Sequence, residues 1–261
     1  MSVVRPRVEG DWLLVPAPQA HRPPRLFCFP HAGGDATAFT ALAHALAPAA
    51  EVWALRMPAR GGRRAQPMPA RFDLLVRTVA AELGPQLGGC FGFYGQSFGA
   101  LLAYEVARAL PRGWRPQVVI AASAEPPSAW ADGKPADHEP DELLRQTGMG
   151  DLVADDPDLR ELALATIRTD LRVRGSYRYR PGPAIESDLH AVVGDADPML
   201  TPPQLAGWAQ HTAGAFGLSV VPGGHLLATV QRPGPVGVLT SILRPRTDPS
   251  ARGPLWPARS I

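Results

Sequence analysis

The chain has 261 residues, with 26 Lys plus Arg set against 24 Asp plus Glu and a formal charge of +2. That length suits one large domain or two small ones around a sizeable core, and so even a balance leaves no basic block to bind nucleic acid. No signal-peptide apolar region opens the sequence and no stretch approaches the roughly 20 apolar residues of a membrane span, so a cytoplasmic protein with neither nucleic acid nor membrane as partner is expected. Cys28 and Cys90 each stand in a short apolar run, which predicts buried thiols rather than a disulfide or a reactive centre.

Residues 12–15 and 26–29 are short apolar runs on either side of a Pro-rich turn and are expected as strands. The loop Pro30-His31-Ala32-Gly33-Gly34 follows. Phe39, Leu42, Ala43 and Leu46 then recur at helical spacing until Pro48. A strand is expected at 52–55, a helix from the spacing of Phe72, Leu75, Val76, Val79 and Leu83, a strand at 91–94, an Ala/Leu-rich helix over 98–110 and a strand at 118–122. Strands alternating with helices predict an α/β fold, a mostly parallel central sheet flanked by helices. The alternation breaks at Glu125. From about 126 to 182 only helical segments are expected, one of them opened by Asp156-Pro157 as N-cap and first helical residue, with Leu159, Leu162, Ala163 and Ile167 as its apolar face. An insertion of this kind is expected as a lid over the C-terminal edge of the sheet. Strands at 189–193 and 218–221, a helix over 202–212 and another after Pro235 complete one domain, 1–243. The Pro- and Arg-rich stretch 244–261 is expected as a disordered tail.

The sharpest local signal is Gly95-Gln96-Ser97-Phe98-Gly99, set between an expected strand and an expected helix. A serine at a tight strand-to-helix turn needs very small neighbours two residues away on each side, where the backbones cross. With ten serines and 26 glycines in the chain, such a pentapeptide arises by chance about 0.1 times, and the strand-turn-helix setting sharpens it further. A serine hydroxyl becomes nucleophilic only when a base takes its proton and a carboxylate holds that base. His225, just after the last strand in Pro222-Gly223-Gly224-His225, is placed to be the base. His44, His190 and His211 fall within or at the ends of regular elements, where structural roles are expected, and His21 and His138 lie in loops. Asp195 and Asp197 both follow the 189–193 strand. Asp197 is preferred as the acid, Asp195 being a turn-stabilising neighbour and Asp170 a rival in the insertion. For the oxyanion, the backbone N–H of Phe98 and that of Ala32 are the expected donors, with His31 shaping the loop.

Together these residues resemble a type II thioesterase, the discrete α/β-hydrolase that accompanies polyketide and nonribosomal peptide synthases. The similarity runs from about residue 12 to 243. It is carried by Phe29-Pro30-His31-Ala32-Gly33-Gly34, by Gly95 to Ala100, by the insertion segments Asp141-Glu142-Leu143-Leu144, Arg168-Thr169-Asp170 and Tyr177-Arg178-Tyr179, and by Gly194-Asp195-Ala196-Asp197-Pro198 with Gly223-Gly224-His225. The resemblance implies Ser97 as nucleophile, Asp197 as acid, His225 as base, and Ala32 and Phe98 as oxyanion donors. It also implies hydrolysis of acyl thioesters on the phosphopantetheine arm of a carrier protein, with an editing role, no metal and no organic cofactor; a monomer is expected. Three positions depart from the family pattern. Gln96 stands where His is usual, Ala59 replaces a usual Gly in Pro58-Ala59-Arg60-Gly61-Gly62-Arg63-Arg64, and Leu226-Leu227-Ala228 lacks aromatic residues often present after the base.

Because carrier proteins are acidic, Arg60, Arg63 and Arg64 are expected to form a docking patch. Three other readings stay open: a stand-alone carboxylesterase with the same triad, a non-catalytic hydrolase-fold protein that binds an acyl chain or a synthase, and a terminal releasing thioesterase.

Overall fold

The computed structural model describes residues 5–21, 23–47, 49–111, 113–130, 139–228 and 233–243. Their strands are β1 (Arg7–Glu9), β2 (Leu13–Val15), β3 (Arg25–Phe29), β4 (Glu51–Leu55), β5 (Phe91–Gln96), β6 (Val118–Ala122), β7 (Asp188–Gly194) and β8 (Phe216–Val221). They form one sheet in the spatial order β1-β2-β4-β3-β5-β6-β7-β8. The first two strands pair antiparallel at one edge, and the other six run parallel.

A parallel sheet is covered on both faces, so its strands carry apolar residues on both sides. Leu26 and Cys28 of β3 join Val52, Ala54 and Tyr94 in one core. Phe27 and Phe29, pointing the other way, join Trp53 and Phe93 in a second. The helices α1 (Thr40–Leu46), through Leu42 and Leu46, and α8 (Pro233–Ile242), through Leu239, close the first face. The opposite face is closed by α2 (Phe72–Leu83), through Leu75 and Val79, and α3 (Phe98–Ala109), through Leu101 and Leu102.

Between β6 and β7 the described chain is helical, with α4 (Pro140–Gln146), α5 (Met149–Leu152) and α6 (Pro157–Gly175). α6 begins where its sequence directs: the Asp156 carboxylate accepts from Leu159 N at 2.9 Å, and Pro157 opens the helix. Its buried face matches the expected one in part, since Ile167 is buried and Ala163 packs against the core. Leu159 and Leu162 are exposed, at 45% and 37%, whereas Leu164, Ile167, Asp170 and Val173 turn inward; residues 157–162 are all exposed and burial begins only after them. The expected 202–212 helix is a single turn, α7 (Pro202–Leu205), continuing as a 3-10 helix, Ala206–His211, that seats Trp208 in the core. No helix among the described residues is long and apolar enough to cross a membrane. The 244–261 segment expected as a disordered tail lies outside the described residues.

Candidate active site

The sheet order places β4 on one side of β3 and β5 on the other, and at such a reversal the connections diverge and leave a crevice beyond the strand ends. Ala32 follows β3 and Ser97 follows β5, one on each side of this point. The turn at Ser97 is held in φ 54°, ψ −119°, a region that costs a side-chain-bearing residue about 1–3 kcal/mol and persists only where surroundings enforce it. Those surroundings are backbone. A Cβ on Gly95 would lie 2.3 Å from Gly99 O, and one on Gly99 would lie 2.1 Å from Phe29 O. Ser97 N donates to Ala122 O of the neighbouring strand at 2.8 Å, so strand, turn and helix are locked together with the hydroxyl at the sheet's edge.

Asp197 leaves the end of β7 in a tight turn, its N–H donating to Gly194 O at 3.2 Å and its Oδ1 accepting from Met199 N at 2.9 Å. His225, in the loop after β8, presents Nδ1 to Asp197 Oδ2 at 3.0 Å and Oδ1 at 3.1 Å, and both side chains are buried. Burial works to raise the Asp197 pKa, but the hydrogen bond and charge of His225, with the Met199 N–H, outweigh it and hold the carboxyl below its ordinary value. An ionised Asp197 only accepts, so Nδ1 carries the proton they share, and in the neutral imidazole the lone pair is on Nε2. That Nε2 is buried with no hydrogen-bond partner among the described residues, and His225 and Ser97 border one cavity of about 140 Å³. A neutral imidazole so held can take a proton from a hydroxyl in the same cavity.

Ala32 and Phe98 border this cavity too, with Phe98 at the first turn of α3, where backbone N–H groups and the helix dipole favour negative charge. Its walls come from Ser123, Ala124 and Glu125 after β6, from Met199 and Leu200, and from Leu143, Leu171 and Arg174 of the insertion. The Arg174 guanidinium lies 4.1 Å from the centre of the Trp130 ring, a wall that no local sequence pattern signals.

The other candidates separate cleanly. Asp195 Oδ1 accepts from Gly223 N at 3.0 Å and staples the two loops together. His31 is buried against the ring-facing side of Gly34, with Nε2 3.1 Å from Met149 Sδ. Burial first, then the positive charge of His225 and Arg60 when protonated, pushes its pKa down to about 3, which makes it a neutral loop-shaping residue near pH 7. His190 bonds Ser219 Oγ, His211 lies against Ser128 Oγ, and His21 and His44 are exposed; His138 lies outside the described residues. Among the described residues no three His, Cys, Asp or Glu side chains are grouped to hold a metal ion.

The expected arginine docking patch does not exist as a surface. Arg60 is buried and paired with Asp170, and Arg63 is buried with its guanidinium 3.8 Å from the centre of the Trp12 ring and bonded to Gln66 Oε1 and Arg56 O. Only Arg64 is exposed. Loop composition cannot distinguish an arginine that faces water from one whose fork finds carbonyls and a carboxylate inside. Gln96 has a role that the sequence did not disclose. Its Nε2 donates to His225 O at 2.7 Å, while its Oε1 accepts from Tyr94 Oη at 2.8 Å and Leu227 N at 3.2 Å. The side chain beside Ser97 thus fastens the loop that carries His225.

Sheet order, elbow and acid–histidine loops define an α/β-hydrolase. A model of the thioesterase domain family matches residues 24–242. The chain is 32% identical over 225 residues to Thioesterase PikA5 of Streptomyces venezuelae, covering 83% of this chain and 79% of that one. It superposes on the type II thioesterase BorB from the borrelidin biosynthetic cluster with a TM-score of 0.78 at 33% identity, covering 91% of this chain and all of that one. RedJ, the thioesterase of the prodiginine pathway in Streptomyces coelicolor, superposes at 0.74 with 29% identity, covering 87% and 89%. The chain belongs to the thioesterase domain family, and the resemblance read from its motifs is borne out.

Proposed function

We propose that this thioesterase hydrolyses acyl groups held as thioesters on the phosphopantetheine arm of a carrier protein, and that it edits a polyketide or nonribosomal peptide assembly line. The observation that carries the reading is the His225 Nε2 without a partner among the described residues, on a side chain held by Asp197 and bordering the same cavity as the strained Ser97. In the proposed cycle His225 takes the Ser97 proton as Oγ attacks the thioester carbonyl. The tetrahedral oxyanion is received by the N–H groups of Ala32 and Phe98. Collapse expels the pantetheine thiol, protonated by the imidazolium, and leaves an acyl-Ser97 ester. Water, deprotonated by His225, then hydrolyses it and restores the serine. No step calls on a metal or an organic cofactor. The helices of the insertion serve as the lid, contributing Leu143, Leu171 and Arg174 to the cavity wall. The likeness to Thioesterase PikA5 and to BorB, a type II thioesterase from the borrelidin biosynthetic cluster, supports thioester hydrolysis in a biosynthetic system.

Single-turnover hydrolysis of acyl-carrier proteins from short to long acyl chains, with Ser97→Ala as the blank, tests the reading. Release from carriers that falls to background in Ser97→Ala supports it. A strong preference for p-nitrophenyl esters over carrier thioesters would reassign the chain as a carboxylesterase, and full hydrolysis by Ser97→Ala would remove the serine mechanism.

A further inference from the structure

Asp170 lies in the body of α6 with a side chain that is wholly buried, outside the proposed triad. Its Oδ2 accepts from Gly33 N at 2.8 Å and from Arg60 Nη1 at 2.7 Å, and its Oδ1 accepts from Arg60 Nη2. Arg60 Nη1 also donates to Gly34 O at 2.9 Å, and Nε to Pro58 O at 3.2 Å. The carboxylate and guanidinium therefore grip the Gly33-Gly34 segment by its N–H at one end and its C=O at the other. One turn earlier on α6, Ile167 is seated over the same place: Gly33 has φ +80°, and a Cβ there would meet Ile167 Cγ1 at 2.5 Å.

The grip has a consequence for Ala32. Gly34 N donates to His31 O at 2.9 Å, which fixes the direction of the His31 carbonyl. A trans peptide holds C=O and N–H antiparallel, so the Ala32 N–H is aimed the opposite way, and Ala32 borders the cavity of Ser97. Two consecutive glycines have much backbone freedom to lose, and a hydrogen-bond donor on such a loop is aimed only if something else holds it. A buried ion pair is a poor source of net stability, because desolvation cancels most of the attraction. Its geometric effect is more specific.

We propose that Asp170 is a positioning residue: acting with Arg60, it sets the 31–34 loop so that the Ala32 N–H faces the oxyanion. The inserted helix would thus complete the catalytic donor set as well as cover the acyl group. This inference rests on the proposed serine mechanism.

The decisive variants are Arg60→Met/Asp170→Leu, which removes both charges together and leaves neither unpaired, and Asp170→Asn, which keeps an acceptor for Gly33 N but loses the ion pair. Melting temperature, kcat and KM on propionyl-N-acetylcysteamine, and inhibition by phenylboronic acid are measured. The boronate is chosen because its tetrahedral serine adduct places an oxygen where the oxyanion forms. In the double variant kcat is expected to fall about 10- to 100-fold with KM nearly unchanged, and boronate affinity to weaken in step; Asp170→Asn should fall between it and the wild type. A folded double variant with wild-type kcat and boronate affinity, or one in which only KM changes, overturns the proposal. If the double variant does not fold, Asp170→Asn decides on the same readouts. Ser97→Ala, run alongside, separates the two claims. If it is inactive while the clamp variants are unimpaired, only the Asp170 role fails; if it still turns over, the serine mechanism fails and takes this inference with it.

Discussion

Asp197 and Asp170 are both buried carboxylates, each gripped by a basic side chain, yet they are built for different work. Asp197 sits in a loop at the carboxyl end of β7 and faces a histidine, a side chain that can accept and release a proton. Asp170 sits within a helix and faces an arginine, which stays charged at any pH the protein meets. A carboxylate against a partner able to accept a proton can serve a proton-transfer cycle. One against a permanent cation can only hold geometry. Residue type and burial are the same in both, so partner and backbone element decide the role.

Substitutions at the two acids should separate chemistry from architecture. The largest effect is expected from Asp197→Asn, where the amide can hold His225 in the wrong tautomer: kcat should fall about 10⁴-fold while thermal unfolding moves little. Loss of stability in proportion to loss of rate would erase the distinction between the two acids. Asp170→Ala should do the reverse in stability, leaving the buried Arg60 charge unpaired at a cost of about 3–5 kcal/mol, measured by denaturant unfolding.

His31 tests the Asp170 side of the comparison by pH. Its folded pKa, about 3, lies below its ordinary value of 6.5, so between these values the unfolded chain binds more protons. Stability is then complete above about pH 6.5 and declines as pH falls toward 3, by about 2 kcal/mol at pH 5. His31→Gln should flatten this part of the stability profile, and an unchanged slope would show that the loop around Asp170 is not packed as described. Arg64→Glu, at the one exposed arginine of the loop, should shift stability by no more than about 0.5 kcal/mol; a larger loss would mean that Arg64 joins the buried arginine network.

Elements with strong local periodicity were legible in the amino-acid pattern: α2, α3, β6 and the N-cap of α6 stand where it placed them. β1 was not, since Arg7–Glu9 is short and largely exposed and becomes a strand only by pairing with β2. Of the expected apolar side of α6, Ala163 and Ile167 pack inward but Leu159 and Leu162 do not, because an amphipathic stripe does not reveal which turns reach the body of the protein. In the site, Ser97 was legible because the steric demands of the elbow force glycines at fixed offsets, and His225 and Asp197 because each follows a strand at the same sheet edge.

Short-range rules in the chain were enough to determine the α/β order, the strained serine and the loops able to bring an acid and a histidine toward it. Only tertiary structure decided the destinations of side chains with several possible partners. Arg60 turned inward to Asp170, 110 positions away along the chain, and Gln96 reached across to the His225 loop. Local sequence governs backbone conformation through nearby sterics, whereas a long polar side chain settles where distant segments leave it a donor or acceptor. For that reason the arginine loop, expected at the surface, is part of the scaffold beneath the proposed oxyanion site.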